Sequence, residues 1–143
     1  GRIVSTSLQH MFSIQPNYRD RIREIILIAP DIDTDQFSDF ISTEISPLTL
    51  YTSENDPSLA VSKQFNTHRL AGDSAEHLLI TSKVETINTG TTNLSLNGHS
   101  NLADTSSILG DIWDLVINNS RAVSRNKLEI RYSPEGTYWE YPR

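Results

Sequence analysis

One histidine and two aspartates occupy the positions in this chain where side chains can do chemistry. His99 lies in the polar stretch Leu96-Asn97-Gly98-His99-Ser100-Asn101-Leu102-Ala103-Asp104, between a strand read at Lys83–Asn88 and an amphipathic helix read at Asp104–Asn118. Loops at such junctions are accessible and carried by a rigid scaffold, so a histidine there is placed to move a proton. Asp56 sits at an earlier strand-to-helix junction, Ser53-Glu54-Asn55-Asp56-Pro57, and Asp31 at one earlier still, Pro30-Asp31-Ile32-Asp33. A histidine base needs a carboxylate to fix its tautomer and stabilise the imidazolium, and Asp56 and His99 read as such a pair. Asp56 also reads as a helix N-cap with Pro57 at the first helical position. The two roles are compatible, because a carboxylate can cap with one oxygen and orient an imidazole with the other.

Other groupings fail on spacing. Read as a calcium loop from Asp31, the chain has Gln36 where glycine is required and Ser42 where glutamate is required. As an aspartyl nucleophile motif the same run resembles the first motif of haloacid-dehalogenase-type phosphatases, but Asp35 stands where that motif has Thr or Val. Gly98-His99-Ser100-Asn101-Leu102 begins like the G-x-S-x-G nucleophile elbow and ends on Leu102 instead of glycine. Ser5 and Ser7 fall inside the first helix without flanking glycines. His10, His68 and His77 read as structural or solvated. The chain has no cysteine, which removes disulfides, thiolate metal sites and cysteine nucleophiles.

The elements that position these residues follow from periodicity. Ile3, Val4, Leu8, Met11 and Phe12 mark one face of a helix opening near Arg2, with Pro16-Asn17 breaking it. A helix that begins with the chain itself reads as cut from a longer protein. Ile25-Ile26-Leu27-Ile28-Ala29 is a short, apolar, β-branched run, the pattern of a buried strand in a parallel sheet. Thr34 reads as the cap of a helix carrying Phe37, Phe40 and Ile41. Leu48–Tyr51 is the second strand, followed by a helix with Leu59, Val61 and Phe65 on its apolar side. Arg69–Ser82 has no period and reads as loop. Val84–Asn88 alternates as the third strand. Ile108, Leu109, Ile112, Trp113, Val116 and Ile117 give the last helix the clearest apolar stripe in the chain. Leu128–Tyr132, the turn Ser133-Pro134-Glu135-Gly136 and Thr137–Tyr141 read as a hairpin with a type I turn.

Strands alternating with helices predict an α/β fold: about three parallel strands with crossover helices, then the hairpin. Residues 1–118 read as one portion and 119–143 as a tail bearing the hairpin. Ligands of open parallel sheets bind at the carboxyl ends of the strands, where Asp31, Asp56 and His99 all fall. Of 143 residues, 36% are hydrophobic and 21% charged, a globular composition. The net charge of -6, without any Lys/Arg cluster, argues against a phosphate-binding surface, so nucleic acid is excluded as a partner. No apolar run reaches the ~20 residues of a membrane span.

Three motifs in order carry a family resemblance: Ile28-Ala29-Pro30-Asp31-Ile32-Asp33, Leu50-Tyr51-Thr52-Ser53-Glu54-Asn55-Asp56-Pro57-Ser58-Leu59-Ala60, and Gly98-His99-Ser100 with Ala103-Asp104. Over residues 1–118 the chain resembles the carboxyl-terminal half of α/β-hydrolase-fold proteins, closest to a bacterial esterase/lipase-like family of largely uncharacterised function. The resemblance implies Asp56 as the acid and His99 as the base of a catalytic triad, with Asp31 as the alternative acid. Such triads run serine, acid, histidine along the chain, and no histidine follows His99, so Ser100 is not the nucleophile. The implied nucleophile lies upstream, ahead of Gly1-Arg2, together with the oxyanion-hole donors. The function implied is the carboxyl-terminal part of a serine hydrolase acting on small-molecule carboxylic esters without metal or organic cofactor, inactive as this chain alone. The rival reading is a non-catalytic or degenerate domain that binds a partner. An unpaired edge at Ile25–Ala29 would further make the chain prone to self-association.

Overall fold

The computed structural model of the chain describes residues 2–43, 47–65, 68–91 and 102–142. Three short strands, β1 (Ile25–Ile28), β2 (Leu48–Thr52) and β3 (Glu85–Asn88), lie side by side and parallel. The hairpin of β4 (Glu129–Ser133) and β5 (Gly136–Glu140) extends the same sheet to five strands in the order β1-β2-β3-β5-β4. β5 runs parallel to β3, pairing Ile87 with Trp139, while β4 is antiparallel to β5. The hairpin thus covers the edge of β3, and β1 carries the other edge of the sheet.

Side-chain alternation divides the core into two layers. Ile25 and Leu27 of β1, with Leu48 and Leu50 of β2, face one side and pack with Phe37 and Phe40. The two phenylalanines come from α2 (Thr34–Ser42), and Leu8 of α1 (Arg2–Ile14) packs against the same layer. Ile26, Tyr51 and Ile87 face the other side, where they meet Ile108 and Ile112 of α4 (Leu102–Asn118) together with Leu128, Trp139 and Tyr141. Every residue of β2 is buried, as a strand covered on both faces requires. The crossover helix between β2 and β3 is α3 (Pro57–Phe65).

The structure corrects four details of the sequence reading. Asp33, not Thr34, caps α2: its Oδ1 accepts from the amides of Asp35 at 2.9 Å and Gln36 at 3.3 Å, and Thr34 is the first helical residue. α4 begins at Leu102, two residues before the expected Asp104. Val61 points to solvent at 56% exposure, so α3 is held through Leu59 instead. The apolar stripe of α4 is not its buried face. Ile108, Asp111 and Leu115 are buried, whereas Leu109, Trp113, Val116 and Ile117 are each more than half exposed. No helix among the described residues is long and apolar enough to cross a membrane.

Candidate active site

At the carboxyl end of β2 the chain turns sharply through Ser53-Glu54-Asn55 into α3. The turn is tied on both flanks. The Ser53 amide donates to the Gly72 carbonyl at 2.9 Å, and the Ser74 amide donates to the Ser53 carbonyl at 3.2 Å. On the other flank the Glu54 amide donates to the Gly90 carbonyl at 2.8 Å, and the Thr89 amide and hydroxyl both reach the Thr52 carbonyl. Gly90 follows β3, so the exits of β2 and β3 are joined by a direct backbone hydrogen bond.

Asp56 stands at the end of this turn, 6% exposed. Its Oδ1 accepts from the amides of Ser58 at 2.8 Å and Leu59 at 3.3 Å, the N-cap geometry that Asp-Pro at a helix start predicts. Among the described residues none donates to Oδ2. The acid is therefore fixed through Oδ1. His99 lies outside the described residues, as do Gly98, Ser100 and Asn101. Asp31 occupies the equivalent place after β1, is exposed, and accepts from the Ser62 hydroxyl of α3 at 2.8 Å. His10, His68 and His77 are all exposed. His68 stands 3.8 Å from Asp33, and with His77 it rims a polar cleft of about 220 Å³ beside the Lys63–Asp73 ion pair. Among the described residues no group of three or more His, Asp or Glu is placed to hold a metal ion.

Residues 69–74, the first part of the stretch Arg69–Ser82 read as loop, form the floor of this end of the sheet. Their backbone bonds to Pro30, Ile32 and Thr34 on one side and to Ser53 on the other. Gly72 passes so close to β1's exit that a Cβ there would lie 2.4 Å from both the Ala29 carbonyl carbon and the Pro30 nitrogen. Ala29 itself is held at φ 40°, the left-handed region that L side chains disfavour. Strained backbone of this sort persists only where the surroundings over-determine it, and it concentrates at functional sites.

On the α4 side of the sheet lies a buried polar cluster that sequence reasoning misses. The Tyr51 hydroxyl donates to Asp111 Oδ2 at 2.5 Å, and Arg125 Nη1 donates to the same oxygen at 2.7 Å and to the Tyr51 oxygen at 3.0 Å. Arg125 Nη2 reaches Glu85 at 3.2 Å, and Arg121 bridges Glu85 at 2.9 Å and Glu24 at 2.5 Å. Burial pushes the Asp111 carboxyl up, against the pull of the Tyr51 hydroxyl and the Arg125 charge. Burial and the neighbouring Asp111 likewise raise the Tyr51 hydroxyl far above its ordinary value, so it stays protonated and donates. The one sequence signal for the cluster is an acid, Asp111, set between Ile108 and Leu115 on a helix face.

A model of the family described as alpha/beta hydrolase of unknown function (DUF900) matches residues 1–108. No curated protein and no solved structure matches the chain. The matched stretch runs from α1 through the parallel strands into α4 and takes in Asp31, Asp56 and His99, and the chain belongs to this alpha/beta-hydrolase family.

Proposed function

We propose that this chain supplies the acid and the base of a serine hydrolase acting on carboxylic esters. The observation that carries the reading is Asp56: a buried carboxylate at the carboxyl end of a parallel strand, with Oδ1 committed to the helix cap and no donor to Oδ2 among the described residues. His99, which lies between β3 and α4 in the sequence, is the partner that the reading assigns. A serine contributed from upstream attacks the acyl carbon while His99 takes its proton. His99 then returns that proton to the leaving alkoxide, and water reverses the sequence to free the acid. Asp56 holds the imidazole tautomer and stabilises the imidazolium. Asp31 is the weaker acid for this role, being exposed and already bonded to Ser62.

The test is ester hydrolysis by the protein that includes the nucleophile. Asp56→Asn should lower kcat by up to about 10⁴-fold, as a wrong histidine tautomer does in a serine-protease triad. Asp31→Asn should stay near wild type, and the opposite pattern would reassign the acid. The present chain alone should show no turnover, and turnover abolished by Ser100→Ala would overturn the assignment of an upstream nucleophile. A second reading, a domain that binds a protein partner, draws support from the exposed Leu109, Trp113, Val116 and Ile117. An Asp56→Asn protein with undiminished hydrolysis would favour it.

A further inference from the structure

We propose that the outward face of α4 is the contact surface of a twofold dimer of this chain, in which α4 packs antiparallel on α4 of a second copy. The inference is independent of the triad reading. It starts from Leu109, Trp113, Val116 and Ile117, each more than half exposed, while Ile108, Asp111 and Leu115 of the same helix are buried. The four fall at i, i+4, i+7 and i+8, so they form one continuous stripe. No charge interrupts it, because Asp111 is buried and Asp114 lies about 100° around the helix from Trp113. Together the four side chains expose roughly 450 Å² of apolar surface, toward the upper end of the contiguous patch that a monomer carries.

The order of the residues names the occupant. An isologous interface sets one patch against itself, so a helix lying on the axis must match its own reversal. Trp113 is the centre of that reversal. Leu109 and Ile117 stand four residues to either side of it, and Gly110 and Val116 three. Two antiparallel copies with the axis at Trp113 bring Leu109 level with Ile117 of the second copy, and Gly110 level with its Val116. Large aliphatic groups then meet each other at the ends, and a glycine makes room for the valine, so the helix axes can close to the about 8–10 Å of packed helices. The two indoles meet on the axis, where a buried aromatic anchor contributes most.

Charge agrees with the same register. Lys127 reaches to Gly110, where its Nζ lies 3.4 Å from the place a Cβ would take. Asp114 lies on that same flank, one turn further along. In the reversed copy Asp114 comes level with residue 112, about 3 Å along the axis from residue 110. Each Lys127 is thereby brought within side-chain reach of Asp114 on the other copy, twice per dimer. The area suffices too: two stripes would bury roughly 900 Å², close to the about 1,000 Å² of a specific interface before the flanks are counted.

The chain has no cysteine, so the contact can be read by disulfide cross-linking of the whole chain. Leu109→Cys and Ile117→Cys proteins are oxidised separately and as a mixture. The expected result is a mixed dimer as the dominant product, with little from either variant alone. Residues 109 of the two copies lie eight residues apart along the axes, about 12 Å, beyond the span of a disulfide. Val61→Cys, comparably exposed on α3, should stay monomeric. Trp113→Glu added to both variants should abolish the mixed dimer while leaving the circular dichroism spectrum unchanged. Association through the β1 edge produces no such register. Leu109→Cys that joins itself as readily as it joins Ile117→Cys overturns the antiparallel pairing. A mixture that cross-links no more than Val61→Cys overturns the dimer and leaves the stripe to a different occupant.

Discussion

Arg125→Met is the sharpest stability test of the buried cluster. Methionine keeps much of the aliphatic bulk and deletes the guanidinium. The Asp111 side chain it abandons is 1% exposed and loses the 2.7 Å bond, while the Tyr51 hydroxyl still donates. Glu85 keeps Arg121 at 2.9 Å and is not orphaned. Breaking a buried pair by removing one member costs about 3–5 kcal/mol. Against a total of roughly 5–15 kcal/mol for a single domain, that is a large share, and it corresponds to a fall in Tm of roughly 10 °C. The loss has a pH signature. Burial raises the folded Asp111 pKa above its unfolded value, so between those two values the native state binds a proton more tightly than the unfolded chain. A raised carboxyl contributes stability that is complete below the unfolded value near about 4 and is lost as pH rises through the folded value. Without Arg125 the folded value climbs further, so the variant should lose less relative to wild type at about pH 5.5 than at about pH 8. Adding Asp111→Asn should restore much of the loss by removing the stranded charge. Urea melts of wild type, both single variants and the double variant at the two pH values complete the cycle. A cost under about 1 kcal/mol at the higher pH, or one independent of pH, would refute a buried ion pair here.

Gly72→Ala should cost about 3 kcal/mol or more, because its Cβ meets backbone of Ala29 and Pro30 and not a movable side chain; a wild-type melting temperature would contradict the close approach. Trp113→Gln should change stability by less than about 0.5 kcal/mol if α4 turns that residue outward, and a loss above about 2 kcal/mol would mean the helix is rotated. The Ile25–Ile28 edge, apolar and unpaired among the described residues, should make the chain associate with rising concentration; light scattering that reports a 16.1 kDa monomer throughout would refute this.

Much of this fold is written locally. Ile25–Ile28 and Leu48–Thr52 are short, β-branched or apolar runs, and a strand covered on both faces is what such runs specify. Asp56-Pro57 announces α3 because the cap and the first-turn proline need only their immediate neighbours. The same local logic slips by one residue at α2, where Asp33 and Thr34 are both competent caps and only the backbone angles decide. Segment 69–74 is illegible for a different reason. Its role is carried by backbone hydrogen bonds to Pro30, Ile32, Thr34 and Ser53, which leave no periodicity in side-chain type. Attachment of the hairpin to β3 is illegible too, since the pairing of Ile87 with Trp139 joins residues far apart in the chain. The candidate site divides likewise: Asp56 is visible from its cap, but the clasp between Glu54 and Gly90 is not.

α4 shows which force wins when local pattern and tertiary structure disagree. At about 100° per residue, Ile108, Leu109, Ile112, Trp113, Leu115, Val116 and Ile117 spread over more than half the helix circumference. Hydrophobicity alone would centre that arc on the sheet. The observed buried face, running through Ile108, Asp111 and Leu115, is turned roughly a quarter of a revolution away from the centre of the arc. Leaving four large apolar side chains half exposed forgoes of the order of 1 kcal/mol each. Turning Asp111 out of the sheet would strand Arg125, 1% exposed and aimed at Asp111, Tyr51 and Glu85, at a cost of several kcal/mol. The polar triangle therefore sets the rotation of the helix, and the apolar stripe follows it outward.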